Sequence, residues 1–197
     1  MINIKINKNI YRYSAFVLVL VAIVGATFAA FAYKGKVLGT AFSIGSSDMK
    51  FLIDLANSTD TANLTDELQG PSFNNISANW TKDYLIKLYN NGTSQVQLAS
   101  NANYLTANDP DDLRSIIYVE PFEWNDANTN GALDTGELGV SYGRKTIVKW
   151  KTEGYALGTL DQGGIKGLLL KFSTDTVSDT KQGKSGIFDF EFDSISQ

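Results

Sequence analysis

The chain of 197 residues has no cysteine and no histidine, and only three prolines and two methionines. Without cysteine, no disulfide can hold a small exported domain together, so core packing must do so. Without histidine, the usual general base and the commonest zinc ligand are missing. Ser-His-Asp and Cys-His nucleophile systems are therefore excluded. Two carboxylates could still perform glycosidase chemistry, but no spacing nominates a pair, and the chain is expected not to be an enzyme. Positive charge is also scarce: 17 Lys and Arg stand against 21 Asp and Glu, a net charge of −4. Nucleic-acid-binding proteins carry basic patches, so nucleic acid is not an expected partner.

What the chain does have begins at its amino terminus. A basic lead (Lys5, Lys8, Arg12) meets an apolar run from Ala15 to Ala32 that ends in small residues. That order is the pattern of a secretory signal. Cleavage fits after Ala29 (Thr27-Phe28-Ala29) or after Ala32 (Ala30-Phe31-Ala32). An uncleaved membrane anchor is the alternative, since a span needs ~20 apolar residues and the run is about long enough. Gly25, Thr27 and the small-residue tail favour cleavage, which limits membrane contact to the signal segment before it is removed. The lead takes three basic and no acidic residues with it, so the mature chain has 14 basic and 21 acidic residues, net −7. Such a surface is soluble and self-repelling, as suits an extracellular location. The remaining length fits one domain with a real core.

Period-2 alternation dominates after residue 42. In Ile187-Phe188-Asp189-Phe190-Glu191-Phe192-Asp193 the aromatics share one face and the acids the other, predicting a half-buried antiparallel strand with one wet face. Met49 to Leu55 is the first candidate body strand. Tyr84–Tyr89 and Gln95–Ala99 flank Asn90-Asn91-Gly92-Thr93, which reads as a hairpin turn because Asn and Gly tolerate positive φ. Leu113–Val119, Lys145–Trp150, Tyr155–Leu160 and Ile165–Phe172 complete the set, with Gly163-Gly164 between the last two. The polar stretch 58–67 reads as a short helix or a loop. Short strands at roughly 8–12-residue spacing predict an all-β chain built as one antiparallel β-sandwich. No repeat or second-domain boundary is visible.

The segment Asp126-Ala127-Asn128-Thr129-Asn130-Gly131-Ala132-Leu133-Asp134-Thr135-Gly136-Glu137 matches the twelve-residue calcium loop of an EF-hand. Asp126, Asn128, Asn130 and Asp134 place side-chain oxygens at positions 1, 3, 5 and 9, and Ala132 offers its carbonyl at position 7. Gly131 stands at the sharp turn, and Glu137 can supply a bidentate carboxylate. Calcium needs that density, taking 6–8 hard oxygen donors. Pro121 and the strand-like Ile116–Val119 precede the loop, so a helix–loop–helix pair is not expected. The pattern predicts structural Ca2+; a solvated, Asx-rich turn is the plainer alternative.

Asn57, Asn63, Asn75, Asn79 and Asn91 each begin an Asn-X-Ser/Thr triplet without proline. In a cell that glycosylates exported chains they mark a glycoprotein surface; elsewhere they are polar loop and strand residues.

Three segments together resemble the TasA/camelysin-like family of exported biofilm fibre proteins, which includes archaeal bundling pilins. They are Gly25-Ala26-Thr27-Phe28-Ala29-Ala30-Phe31, Gly39-Thr40-Ala41-Phe42-Ser43-Ile44-Gly45-Ser46-Ser47-Asp48-Met49, and Gln182-Gly183-Lys184-Ser185 with Phe188-Asp189-Phe190-Glu191-Phe192 and the terminal Gln197. The resemblance implies cleavage between Ala29 and Ala30. It also implies a jelly-roll-like sandwich that polymerises by donor-strand complementation. Some members bear a metallopeptidase label; with no His and no HExxH, nothing in this chain supports that activity. The calcium-type loop does not come from the family pattern.

On this reading residues 1–29 are a signal peptide, 30–41 an amino-terminal donor strand and 42–197 the sandwich. Ala30, Phe31, Tyr33, Val37 and Leu38 are the donor-strand candidates. Phe31, Tyr33 and Val37 share one phase and are expected to fill a groove. Lys34, Lys36 and Leu38 lie in the other, where Leu38 is the misfit. Phe42 and Ile44 fall to the hinge or the first body strand. The expected function is a structural subunit of an extracellular filament, a biofilm matrix fibre or pilus, whose partners are identical subunits in a homopolymer. The alternative is a membrane-tethered, calcium-stabilised sandwich that binds glycans or surface partners, with Trp80, Trp124 and Trp150 as stacking platforms. Such tryptophans are more often core.

Overall fold

The computed structural model describes residues 33–37, 42–44, 49–56 and 59–196. The signal segment with its cleavage residues Ala29 and Ala30, the donor candidates Phe31 and Leu38, the sequon residue Asn57 and Gln197 lie outside them. Among the described residues there are twelve strands and one α-helix. The strands are β1 (Tyr33–Val37), β2 (Phe42–Ile44), β3 (Met49–Leu52), β4 (Leu64–Thr65), β5 (Thr81–Asn90), β6 (Val96–Asn103), β7 (Ile117–Trp124), β8 (Leu138–Ser141), β9 (Lys145–Thr146), β10 (Tyr155–Leu160), β11 (Ile165–Thr174) and β12 (Asp189–Ser196). The helix, α1 (Ile147–Glu153), falls between β9 and β10.

Every pairing is antiparallel. A five-stranded sheet runs β10-β6-β12-β1-β2, and a seven-stranded sheet runs β4-β3-β5-β11-β7-β8, with β9 also on β7. The chain is thus an all-β sandwich, as the spacing of its strands predicts. Alternation makes the two inner faces apolar. On β6, Val96, Leu98, Ser100 and Ala102 are buried and the residues between them half-exposed. The inner faces meet through aromatics. The edge of Phe51 on β3 meets Phe192 on β12 with centroids 5.8 Å apart. Phe172 on β11 lies 5.6 Å from Phe190 on β12, and Trp150 of α1 stacks on Phe190 at 4.5 Å. Tyr155 on β10 donates its hydroxyl to the Val119 carbonyl on β7, 2.9 Å away, one polar link between the layers.

The structure refines or departs from the sequence-based expectation in several segments. Residues 145–150 form a strand only at Lys145 and Thr146, and then a helix. Thr146 caps that helix by accepting from the Lys149 amide at 3.2 Å, and Gly154 ends it at φ 64°. Ile147 and Trp150, three apart, face the core together, a helical spacing that outweighs the β-branched run. Leu113–Ser115 is a 3-10 turn before β7 rather than part of a strand. The strand from Met49 stops at Leu52, and Ile53 is exposed. The stretch 58–67 holds a 3-10 turn at Thr61–Asn63 and the two-residue β4. Finally, Asn90-Asn91-Gly92-Thr93 does not close a hairpin, because β5 and β6 belong to different sheets.

That last difference has a clear cause in Asn90, which is fully buried. Its side-chain amide donates to the carbonyls of Ser94 (2.8 Å) and Leu160 (3.1 Å), and its oxygen accepts from the Gly92 amide (3.0 Å). Its backbone N–H donates to Gly164 O, and its carbonyl accepts from the Gly163 N–H. The β5–β6 and β10–β11 connections both cross between the sheets, and one residue ties the two crossings together. Buried polar groups left without partners are costly, so Asn90→Ala should destabilise the domain by about 2–4 kcal/mol. Denaturant unfolding measures this; a loss near zero would mean that backbone bonds alone hold the two crossings.

Candidate assembly edge and acidic loop

The last strand, β12, lies inside the five-stranded sheet, with β6 on one side and β1 on the other. The β1 register is Tyr33↔Ser194, Lys34↔Asp193, Gly35↔Phe192, Lys36↔Glu191 and Val37↔Phe190. Residues directly opposite on antiparallel strands share a face. Tyr33, Gly35 and Val37 therefore occupy the phase of Ser194, Phe192 and Phe190, all buried toward the core. Lys34 and Lys36 occupy the phase of Asp193 and Glu191. Of the donor-strand candidates, Tyr33 and Val37 stand within this ladder. β2 pairs back on β1 with Val37↔Phe42 and Gly35↔Ile44, so residues 42–44 form the edge strand of the five-stranded sheet.

The wet face expected of β12 is partly covered. Glu191 is buried and accepts from the Asn103 side-chain amide at 2.9 Å. Asp193 and Asp189 are half-buried.

The acidic segment 126–137 lies over the outer face of the seven-stranded sheet. On that face Lys87 of β5, Gly167 of β11 and Trp124 of β7 stand in one row. Gly167 has no alternative there, because a Cβ would sit 2.4 Å from the Trp124 carbonyl oxygen. The chain leaves β7 at Trp124 and turns through the acidic segment. Gly131, at φ 73°, packs on the backbone of Leu55 and Ala56 so closely that a Cβ would come within 2.9 Å. Beneath the loop lies Lys87, with only 2% of its side chain exposed. Its Nζ is 2.7 Å from Asp126 Oδ2, itself 1% exposed. The same ammonium donates to the Leu55 carbonyl at 2.6 Å and lies 4.8 Å from the Trp124 ring centroid.

The loop's own N–H groups hold its acids. Asp126 accepts from the amides of Asn130 (3.1 Å) and Gly131 (2.8 Å). Glu137 accepts from the amides of Ala127 (3.1 Å) and Asp134 (2.9 Å) and from the Trp124 indole (3.3 Å). Asp134 accepts from the side-chain amides of Asn128 and Asn130. The donor set is of calcium chemistry, and Ala132 offers its carbonyl. The carboxylates are nonetheless spread among these donors, and among the described residues no three acidic groups converge as metal ligands. Burial disfavours ionised Asp126, but the hydrogen bonds from Lys87 and Gly131 outweigh it and hold the carboxyl below its ordinary range. Sequence reasoning passed over Lys87; its one signal was a lysine amid the apolar run Leu85-Ile86-Lys87-Leu88.

Trp124 and Trp150 are buried, and Trp80 packs edge-on against Phe73 at 5.1 Å, which leaves no open row of stacking platforms. Asn75, Asn79 and Asn91 are exposed, whereas Asn63 is half-buried and its amide is bonded to the Asp54 backbone. Among the described residues no helix is long and apolar enough to cross a membrane. Comparison with protein-family models, curated proteins and solved structures returned no match.

Removing one partner of a buried ion pair strands the other charge. Lys87→Met should therefore cost about 3–5 kcal/mol of stability in chelator, and Lys87→Met with Asp126→Asn should recover part of it. Because its pKa is lowered on folding, Asp126 contributes stability that is complete above the unfolded carboxyl value of about 4 and is lost as pH falls through the folded value. Asp126→Asn should thus flatten the acid limb of a stability–pH profile below about pH 4; an unchanged limb would remove Asp126 as a contributor.

Proposed function

We propose that this chain is an exported structural subunit of an extracellular filament, assembled when β1 of one copy occupies the place beside β12 of the next. One observation carries the reading: the second edge of an interior strand is completed by the first strand of the described chain. An interior strand deprived of that neighbour presents unpaired N–H and C=O groups, which invite another strand. A strand from an identical copy makes the same bonds and fills the same phase, so exchange conserves the contacts. Donor β1 and acceptor β12 are different elements, so each copy can give its β1 to one neighbour and take β1 from another. Passed on head to tail in this way, the contact is heterologous and extends into a filament, whereas reciprocal exchange would close a dimer. The basic lead and apolar run ahead of β1, and the resemblance to exported fibre proteins, support the extracellular location.

Structural calcium at residues 126–137 belongs to the same reading. Asp126, Asn128, Asn130, Asp134 and Glu137 would hold the ion with the Ala132 carbonyl, and it would supply positive charge beside Lys87. The exposed Asn75, Asn79 and Asn91 offer sites for surface glycans.

The absence of cysteine makes the strand exchange directly testable. Tyr33 and Ser194 stand opposite each other, and antiparallel partners lie at Cα separations of about 4.5–5.5 Å, within disulfide reach. Exported chains carrying Tyr33→Cys alone and Ser194→Cys alone, mixed and oxidised, should yield cross-linked heterodimers; their absence, with an intramolecular bond in the double variant, would overturn the filament reading. Tyr33→Asp or Val37→Asp should block fibres in negative stain while leaving export intact. Calcium at a hundredfold excess over its Kd should add about 2.7 kcal/mol of stability. A melting temperature unchanged by chelator would sink the calcium assignment.

A further inference from the structure

We infer that the pairs Lys34–Asp193 and Lys36–Glu191 select which strand occupies the place beside β12. The inference deepens the strand-exchange reading, and rests on it for the claim that the strand selected comes from another copy.

The core-facing phase of β1 is a weak discriminator. Tyr33, Gly35 and Val37 present one aromatic, one glycine and one β-branched residue opposite Ser194, Phe192 and Phe190. Any alternating apolar strand could offer much the same. The other phase carries more information. Asp189, Glu191 and Asp193 put three acids on alternate positions of β12, a run that occurs once in the chain. On the β6 side, the residues opposite them are Asn103, Asn101 and Ala99, which carry no charge. On the β1 side, the residues opposite Asp193 and Glu191 are Lys34 and Lys36.

Lys-X-Lys is itself rare here, found only at 34/36 and 149/151. The second pair lies in α1, where positions two apart do not share a face. Among the described strands, β1 alone brings two lysines onto one face in alternation. Opposite charges directly across a ladder stabilise it and like charges destabilise it. A chain with seven more acids than bases in its mature form is a poor source of accidental matches. Glu191 is buried, and a covered charge is screened less by salt than an exposed one. The partner that fits this edge is thus an extended, apolar-alternating strand with lysines two apart, which a second copy of this chain supplies.

The test extends the cysteine mixture. A donor with Tyr33→Cys is made with and without K34E/K36E, and an acceptor with Ser194→Cys with and without E191K/D193K. Reversing both donor charges should lower the rate of cross-linking to the unaltered acceptor by about tenfold. The reversed acceptor should restore it to within about threefold. Because buried Glu191 tolerates change poorly, the single exchange K34E with D193K, which spares it, is the second arm and should show the same reversal to a lesser degree. Equal rates for all four mixtures would overturn the inference. Should no mixture cross-link, the filament reading fails by itself. The pairs are then judged by thermal melting of single chains, where K34E/K36E should lower the melting temperature and the fourfold exchange should recover it; no change would overturn the inference there too.

Discussion

The five-stranded sheet depends on the second edge of β12. The strand carries Phe190 and Phe192, which meet Phe172, Phe51 and Trp150 across the sandwich. An interior strand that holds so much of the core must have both of its backbone edges satisfied. On one edge β6 pairs with all of Asp189–Ser196. On the other the ladder comes from β1, the first strand of the described chain, which follows the apolar lead. The backbone bonds on that edge are the same for any strand in the register of β1.

The opposite face of the molecule depends on a buried charge pair. The acidic loop covers the row formed by Lys87, Gly167 and Trp124, and Lys87–Asp126 fastens it there. An ammonium with a carboxylate, a carbonyl and an aromatic face around it joins loop and sheet. The pair is best understood as fixing where the loop lies. A buried ion pair is a poor source of net stability but strongly penalises any arrangement that separates its members.

Much of the architecture was legible. Alternation located β5, β6, β10, β11 and β12 closely, because each has one face in a shared core and the period of two survives burial on that side. Residues 145–150 misled because Lys-Thr-Ile-Val-Lys-Trp has strand-like composition; the Thr146 cap and the Ile147–Trp150 spacing turned it into a helix. Asn90-Asn91-Gly92 looked like a hairpin turn because turn chemistry reports that the chain bends, not which sheet it enters next. At the acidic loop the oxygen pattern was plain, but Lys87, 39 residues earlier, was not connected to Asp126 by any local signal.

By itself the sequence determined the strand-rich class, the exclusion of histidine- and cysteine-based chemistry, the apolar lead and the phase of β5, β6, β10, β11 and β12. These follow from composition and from periodicity over a few residues. Only the tertiary structure decided that β1 lies beside β12 with lysines opposite acids, that Lys87 lies beneath the loop, and that Asn90 joins two crossings between the sheets. Each joins residues distant in sequence, and the energy of burying a charge or completing a strand edge exists only once the chain has brought them together.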